Sequence, residues 1–169
     1  ADRFEDGTGN DLVIGGIGDD VIIAGSGIDR YEGGVGFDTV DYSAYAAGVK
    51  VDLSIGLMTS LVSGLDTDRL VSIEKIIGSD SADVLIGSSV NSTLIGGGGN
   101  DEIKGGAGND SLDGGIGDDK VDGGSGNDWI FSSTGNDEFI GGSGTDTIDY
   151  STAGASVAVD VSGKQVVVG

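Results

Sequence analysis

An aspartate recurs every nine residues through two stretches of this chain. Asp11, Asp20, Asp29 and Asp38 mark the first; Asp83, Asp101, Asp110, Asp119, Asp128, Asp137 and Asp146 mark the second, with Ser92 in the one phased position that lacks a carboxylate. Each Asp follows a turn-forming run, Gly-rich in most cases, as in GGAGND or GGIGDD. Carboxylates set beside flexible, carbonyl-rich turns suit a hard cation. Ca2+ accepts six to eight oxygens of mixed kind, whereas Mg2+ prefers a smaller, stricter octahedron and keeps its water. The chain has no Cys and no His. Thiolate and imidazole sites are therefore excluded, and so is the usual general base. No D-x-[DN]-x-[DN]-G loop ending in Glu appears, which rules out an EF-hand, and no GK[ST] follows the glycines, which argues against a phosphate loop.

The aspartates belong to a nine-residue unit. The clean copies run from Gly96 to Asp149: GGGGNDEIK, GGAGNDSLD, GGIGDDKVD, GGSGNDWIF, SSTGNDEFI and GGSGTDTID. Four more, DGTGNDLVI, GGIGDDVII, AGSGIDRYE and GGVGFDTVD, occupy 6–41, and two degenerate ones, GSDSADVLI and GSSVNSTLI, occupy 78–95. A fixed short period of this kind signals stacked repeats. Across all twelve units the eighth residue is apolar or aromatic, while the seventh and ninth are mixed. Three residues with only the middle one always apolar describe a very short strand with its central side chain inward. Six residues remain for a turn, where glycine permits positive φ.

One strand and one turn reverse the chain, so two units make a coil of eighteen residues. Units n and n+2 then stack roughly 4.7–4.9 Å apart, and twelve units give about six coils, near 30 Å of solenoid. Stacking lines the carboxylates into two edge ladders. One runs Asp11, Asp29, then Asp83, Asp101, Asp119, Asp137; the other runs Asp20, Asp38, then Asp110, Asp128, Asp146. Like charges at this spacing repel, and a divalent cation between turns reverses the sign. Seven pairs follow: 11/29, 20/38, 83/101, 101/119, 119/137, 110/128 and 128/146. About seven Ca2+ would take the net charge from −21 to −7. Sites at Ser92 should be weak or empty, and those of Asp83 and Asp137 suffer from missing glycines. One core side chain per nine ordered residues does not offset the backbone entropy, so the metal-free chain should fold poorly.

Residues 42–77 break the period and read as a strand-rich spacer. Val49, Val51 and Leu53 alternate with polar residues, a half-buried strand pattern. LVSIEKII fits a short helix or two short strands, of which strands are preferred because the flanks are solenoid, and Asp66 and Asp68 read as solvated loop residues ahead of a loop site. DTIDYS at 146–151 echoes DTVDYS at 38–43, and ASVAVDV echoes AGVKVDL, so 150–169 reads as a second spacer or C-terminal cap in which Val166–Val168 finishes the last coil. The expected organisation is one domain over 1–169: repeat block 6–41, spacer 42–77, repeat block 78–149, second spacer 150–169. Whether the two blocks stack continuously is left open. Phe4 is placed either over the end of the stack or in a frayed terminus. The chain does not begin with Met and reads as a fragment or processed product.

Of the 29 acidic residues, 24 are Asp, against 8 Lys plus Arg. That balance argues against nucleic acid and anionic membranes. No run approaches the ~20 apolar residues of a membrane span. Pro is absent, as expected where most backbone N–H groups enter a ladder.

The unit GGxGxDxUx, U being large and apolar, resembles the signature of the RTX (repeats-in-toxin) family, a Ca2+-binding parallel β-helix repeat. The likeness covers twelve units, about 108 of 169 residues. DTVDYS, GVKVDL and SIEKIIGS also resemble the segments between repeat blocks of that family. The resemblance implies an all-β fold, a right-handed parallel β-roll (a β-solenoid) that is disordered without Ca2+. It implies a secreted, extracellular protein exported unfolded by type I secretion machinery, as family toxins are. It implies that carbonyls of the turn glycines complete each metal cage in matching units: Gly7, Gly9, Gly16, Gly18, Gly25, Gly27, Gly34 and Gly36, then Gly97, Gly99, Gly106, Gly108, Gly115, Gly117, Gly124, Gly126, Gly142 and Gly144.

The function expected is thus a Ca2+-binding module that folds outside the cell and supports secretion and stability of a larger bacterial protein. The alternative is an adhesin or glycan-binding module using outer strand faces, where Trp129 and Phe131 flank the inward Ile130. No catalytic motif is recognised, and no enzyme activity is expected of this chain.

Overall fold

The computed structural model describes residues 1–62 and 66–151. The described residues contain no helix. Through the first block and spacer the strands are β1 (Arg3–Glu5), β2 (Leu12–Ile17), β3 (Val21–Ile23), β4 (Arg30–Val35), β5 (Thr39–Asp41), β6 (Val49–Asp52), β7 (Leu57–Ser60), β8 (Arg69–Val71) and β9 (Lys75–Ile77). The second block adds β10 (Val84–Ile86), β11 (Thr93–Gly98), β12 (Glu102–Ala107), β13 (Ser111–Ile116), β14 (Lys120–Ser125), β15 (Trp129–Phe131), β16 (Glu138–Ile140) and β17 (Thr147–Asp149).

They form two sheets, a parallel β-roll. One has the order β1-β3-β5-β9-β11-β13-β15-β17, the other β16-β14-β12-β10-β6-β7-β8-β4-β2. Repeat strands pair in parallel with a register of eighteen residues, as in Ile103↔Val121 and Leu94↔Leu112. The eighth-position side chains Ile22, Tyr31, Val40, Leu85, Leu94, Ile103, Leu112, Val121 and Ile130 are fully buried between the sheets. Val13, Phe139 and Ile148, toward the ends of the roll, are partly buried against the same core.

The strands are longer than three residues in half of the units. β2, β4, β11, β12, β13 and β14 each have six, running from the seventh position of one unit to the third of the next. The reason is that the Gly-Gly backbone stays in the ladder, with Gly97 opposite Gly115 and Gly106 opposite Gly124.

The spacer is part of the stack. β8 lies beside β4, with Tyr31 opposite Leu70, and β9 beside β5, with Val40 opposite Ile76. LVSIEKII therefore gives two short strands, the preferred of its two readings, and no helix. β6 pairs in parallel with β10. Leu57–Ser60 was not foreseen: β7 pairs antiparallel with β6 after a turn in which Gly56 has φ 64°. Both sheets therefore run from the first block through the spacer into the second. These strands, with Phe4 of β1 set opposite Ile22, extend the roll from the expected six coils to eight strands on one face. Residues 152–169, including Val166–Val168, lie outside the described residues.

Candidate metal centre

The eighteen-residue register brings all seven anticipated aspartate pairs onto adjacent rungs. In each, the backbone N–H of the earlier Asp donates to Oδ1 of the later one. The distances are 2.8 Å for 11/29 and 20/38, 2.7 Å for 83/101, 2.9 Å for 101/119 and 110/128, and 3.1 Å for 119/137 and 128/146. One carboxylate oxygen is thus committed to holding turns together. The second oxygen is not. Oδ2 of Asp20, Asp38, Asp101, Asp110, Asp119 and Asp128 is buried with no hydrogen-bond partner among the described residues. A buried, unpaired carboxylate oxygen costs free energy unless something positive meets it.

The glycines show where these oxygens point. A Cβ on Gly96 would collide with Oδ2 of Asp101 and with the carbonyl O of Gly114 in the next turn. Gly15, Gly105 and Gly123 repeat this relation with Asp20, Asp110 and Asp128. The first glycine is required because the carboxylate and a neighbouring turn's carbonyl converge beside its Cα. Gly115 (φ 93°) and Gly117 (φ 141°) adopt the left-handed region that the second and fourth positions need. A Cβ on either would strike the carbonyl O of Gly97 or Gly99, so these carbonyls point from one turn into the next. Hard anionic and neutral oxygens gathered between turns match the donor set of Ca2+.

Burial is the first cause of a raised pKa at these groups. It takes Asp101 to about 7, with the N–H from Asp83 opposing and the charges of Asp83 and Asp119 adding. Asp110 rises to about 6, again by burial, with the N–H of Ser92 opposing and the charge of Asp128 adding. Asp83, Asp119 and Asp128 are raised, burial being the largest cause in each. A cation would relieve what burial and like charge impose.

Several participants were missed in the sequence. Asp68, read as a loop residue, is fully buried and accepts the N–H of Asp29 at Oδ1 (3.1 Å). Glu74 accepts the N–H of Asp38 at 2.9 Å, and Asp20 accepts that of Asp2 at 2.6 Å. The signal was present: Asp2-Arg3-Phe4-Glu5, Asp68-Arg69-Leu70-Val71 and Glu74-Lys75-Ile76-Ile77 each carry an acid, then a central apolar residue, without the glycine run. Val49 takes the corresponding place above Asp83, donating its N–H to Oδ1 at 2.6 Å, so the first ladder is interrupted there by an apolar residue. Asp83 also differs in that its Oδ2 accepts the N–H of Ser79.

The first block has a further departure. The hydroxyl of Tyr31 donates to Oδ2 of Asp6 (2.7 Å) and approaches Oδ2 of Asp29 at 3.2 Å, and that of Tyr42 donates to Oδ2 of Asp68 at 3.2 Å. Here phenol groups meet the second carboxylate oxygen. Asp6, which replaces a first-position glycine, gathers with Asp11 and Asp29 so that one oxygen of each lies within 4.8 Å of the others.

Beside the sixth-position aspartates, a second ladder ties the turns in the opposite direction. Ile28, Phe37, Asn109, Asp118, Asn127, Asn136 and Thr145 donate their N–H groups to Oδ1 of the fifth-position residue eighteen positions earlier, at 2.8–3.0 Å.

A comparison with curated proteins gives no match. The family described as RTX calcium-binding nonapeptide repeat (4 copies) matches residues 1–31, 77–112, 86–121, 95–130 and 122–151. With the phased aspartates, the orphaned oxygens and the parallel roll already in place, that match assigns the chain to the RTX calcium-binding repeat family, as a Ca2+-binding β-roll module.

Proposed function

We propose that this chain is a folding switch of a larger secreted protein, open at cytosolic Ca2+ and closed outside the cell. The observation that carries the reading is the set of six buried, unpartnered Oδ2 atoms. Asp20, Asp38, Asp101, Asp110, Asp119 and Asp128 offer these oxygens, and glycine carbonyls of neighbouring turns offer the rest. Asp11, Asp29, Asp83, Asp137 and Asp146 complete the seven pairs, for about seven ions. Bound Ca2+ supplies the positive charge that lets these carboxylates stay ionised while buried. Each ion adds RT ln(1 + [Ca]/Kd), about 1–3 kcal/mol at 10–100 times Kd. Extracellular modules commonly bind at ~10⁻⁴–10⁻³ M, well above cytosolic Ca2+. The chain would then pass a type I export channel unfolded and lock after emergence.

Limited proteolysis tests this reading. The chain should be degraded rapidly at submicromolar Ca2+ and protected at millimolar Ca2+, with Mg2+ unable to substitute. Equal protection in both conditions contradicts it.

A second reading, attachment to a glycan or surface partner, is favoured by one feature. Trp129, 49% exposed, stacks on Phe131 with ring centroids 6.1 Å apart and planes 28° from parallel, on the outer face of β15. Binding of the folded chain to a glycan array, lost in Trp129→Ala, supports it; no binding removes it.

A further inference from the structure

The two edges of the roll are finished differently where the first block meets the spacer. On one edge Asp29 and Asp68 face the hydroxyls of Tyr31 and Tyr42 through Oδ2. On the other, Asp38 is fully buried, its Oδ1 accepts the N–H of Asp20, and its Oδ2 meets no partner among the described residues. We propose that Asp38, the carbonyl of Ser72 and the carboxylate of Glu74 form a calcium site that lies outside the nonapeptide motif, with a short turn standing in for a repeat turn. The proposal rests on the reading of the aspartate ladders as calcium ligands.

Three relations carry it. A Cβ on Gly33 would collide with Oδ2 of Asp38 and the carbonyl O of Ser72, as one on Gly15 would meet Oδ2 of Asp20 and the carbonyl O of Gly33. Ser72 therefore presents its carbonyl where a repeat presents that of its first glycine. Glu74 Oε2 accepts the N–H of Asp38 at 2.9 Å, as Asp38 Oδ1 accepts that of Asp20 at 2.8 Å. Glu74 therefore stands in the sixth-position place, and the register Thr39↔Lys75 holds it there. The buried side chains of Leu70 and Ile76 are six residues apart (76 − 70), against nine for those of successive repeats such as Ile103 and Leu112 (112 − 103), and Ser72 has φ 51°, the one non-glycine positive φ among the described residues. A turn this short lacks room for a Gly-rich loop. The strained Ser72 aims the carbonyl, and the longer Glu side chain recovers the reach that an Asp has in the longer turn. Ca2+ tolerates such an irregular set better than Mg2+ does.

The test counts ions on the full chain by native mass spectrometry, with affinities from calorimetric titration. Glu74→Gln keeps an oxygen to accept the Asp38 N–H and loses only the charge. The expected result is one ion fewer than in the unmodified chain, or one ion weakened at least about tenfold, with unchanged circular dichroism at saturating Ca2+. An unchanged ion count with unchanged affinities assigns Glu74 a purely structural role and overturns the proposal. An unmodified chain that binds no calcium overturns the ladder reading as well, so the two failures are distinct. Where Glu74→Gln does not fold, Glu74→Asp reads the same site: one ion weakened supports the proposal, and none weakened overturns it.

Discussion

Asp101 donates its backbone N–H to Oδ1 of Asp119 at 2.9 Å, while Oδ2 of Asp119 lies buried without a partner. One oxygen builds the stack and the other waits for charge. The two roles separate by substitution. Asp119→Asn keeps an acceptor oxygen and loses the charge, so the Ca2+ midpoint of folding should rise by about three- to tenfold, the equivalent of roughly one weakened ion. Asp119→Ala also deletes the acceptor, and at saturating Ca2+ it should lose a further 1–3 kcal/mol, roughly, against urea. Equal behaviour of the two variants would contradict the division of labour.

Acid should stabilise the metal-free roll. Asp101 and Asp110 have pKa values of about 7 and about 6 when folded, against an ordinary 3.8, chiefly because they are buried. The folded state therefore binds more protons than the unfolded chain between those values. The penalty is absent below the unfolded pKa and is fully felt as pH rises through 6 to 7. In calcium-free buffer, strand signal should increase from pH 8 to pH 5. In calcium the order reverses, since protons compete for the same oxygens and the Ca2+ midpoint should rise on acidification. A metal-free chain insensitive to pH over this range would contradict the burial of ionisable ladders.

At Tyr31 and Asp29 a phenol hydroxyl meets the second oxygen of a ladder aspartate. Tyr31→Phe leaves Oδ2 of Asp29 without its hydroxyl and removes the bond to Asp6. A loss of about 1–3 kcal/mol in chemical denaturation at saturating Ca2+ is expected. A variant as stable as the parent would show that other groups satisfy those oxygens.

The core is one side chain deep, so each layer counts. Leu112→Ala should cost about 2–5 kcal/mol. Ile116, 67% exposed at the end of β13, should change stability by less than about 0.5 kcal/mol when replaced by Ala. Urea unfolding in millimolar Ca2+ measures both, and similar losses at the two positions would contradict the assignment of inward and outward faces.

Much of this was legible because the repeat is periodic. The nine-residue phase gave the eighth-position core, the eighteen-residue coil and the seven adjacent pairs, since translation along a stack leaves little freedom once the period is known. The spacer was harder to read. Its β7 pairs antiparallel, a choice set by the Gly56 turn rather than by any repeat. Asp68 and Glu74 lack the glycine run that marks the other ladder positions, so the motif hides them although the strand pattern that follows each is intact. The tyrosine hydroxyls were invisible for another reason. Tyr31 occupies a core position where any large apolar residue would serve, and only the three-dimensional register shows its oxygen reaching Asp29. The fifth-position ladder was likewise hidden, because Asn and Asp there read simply as turn formers.

The central claim is that the buried carboxylate oxygens make folding conditional on calcium. Far-UV circular dichroism of the 169-residue chain, titrated from chelator into millimolar Ca2+, tests it most directly. The account predicts a disordered spectrum in chelator and a steep, cooperative appearance of strand signal that Mg2+ at equal concentration does not reproduce. A full strand spectrum in chelator, unaltered by added calcium, would contradict it.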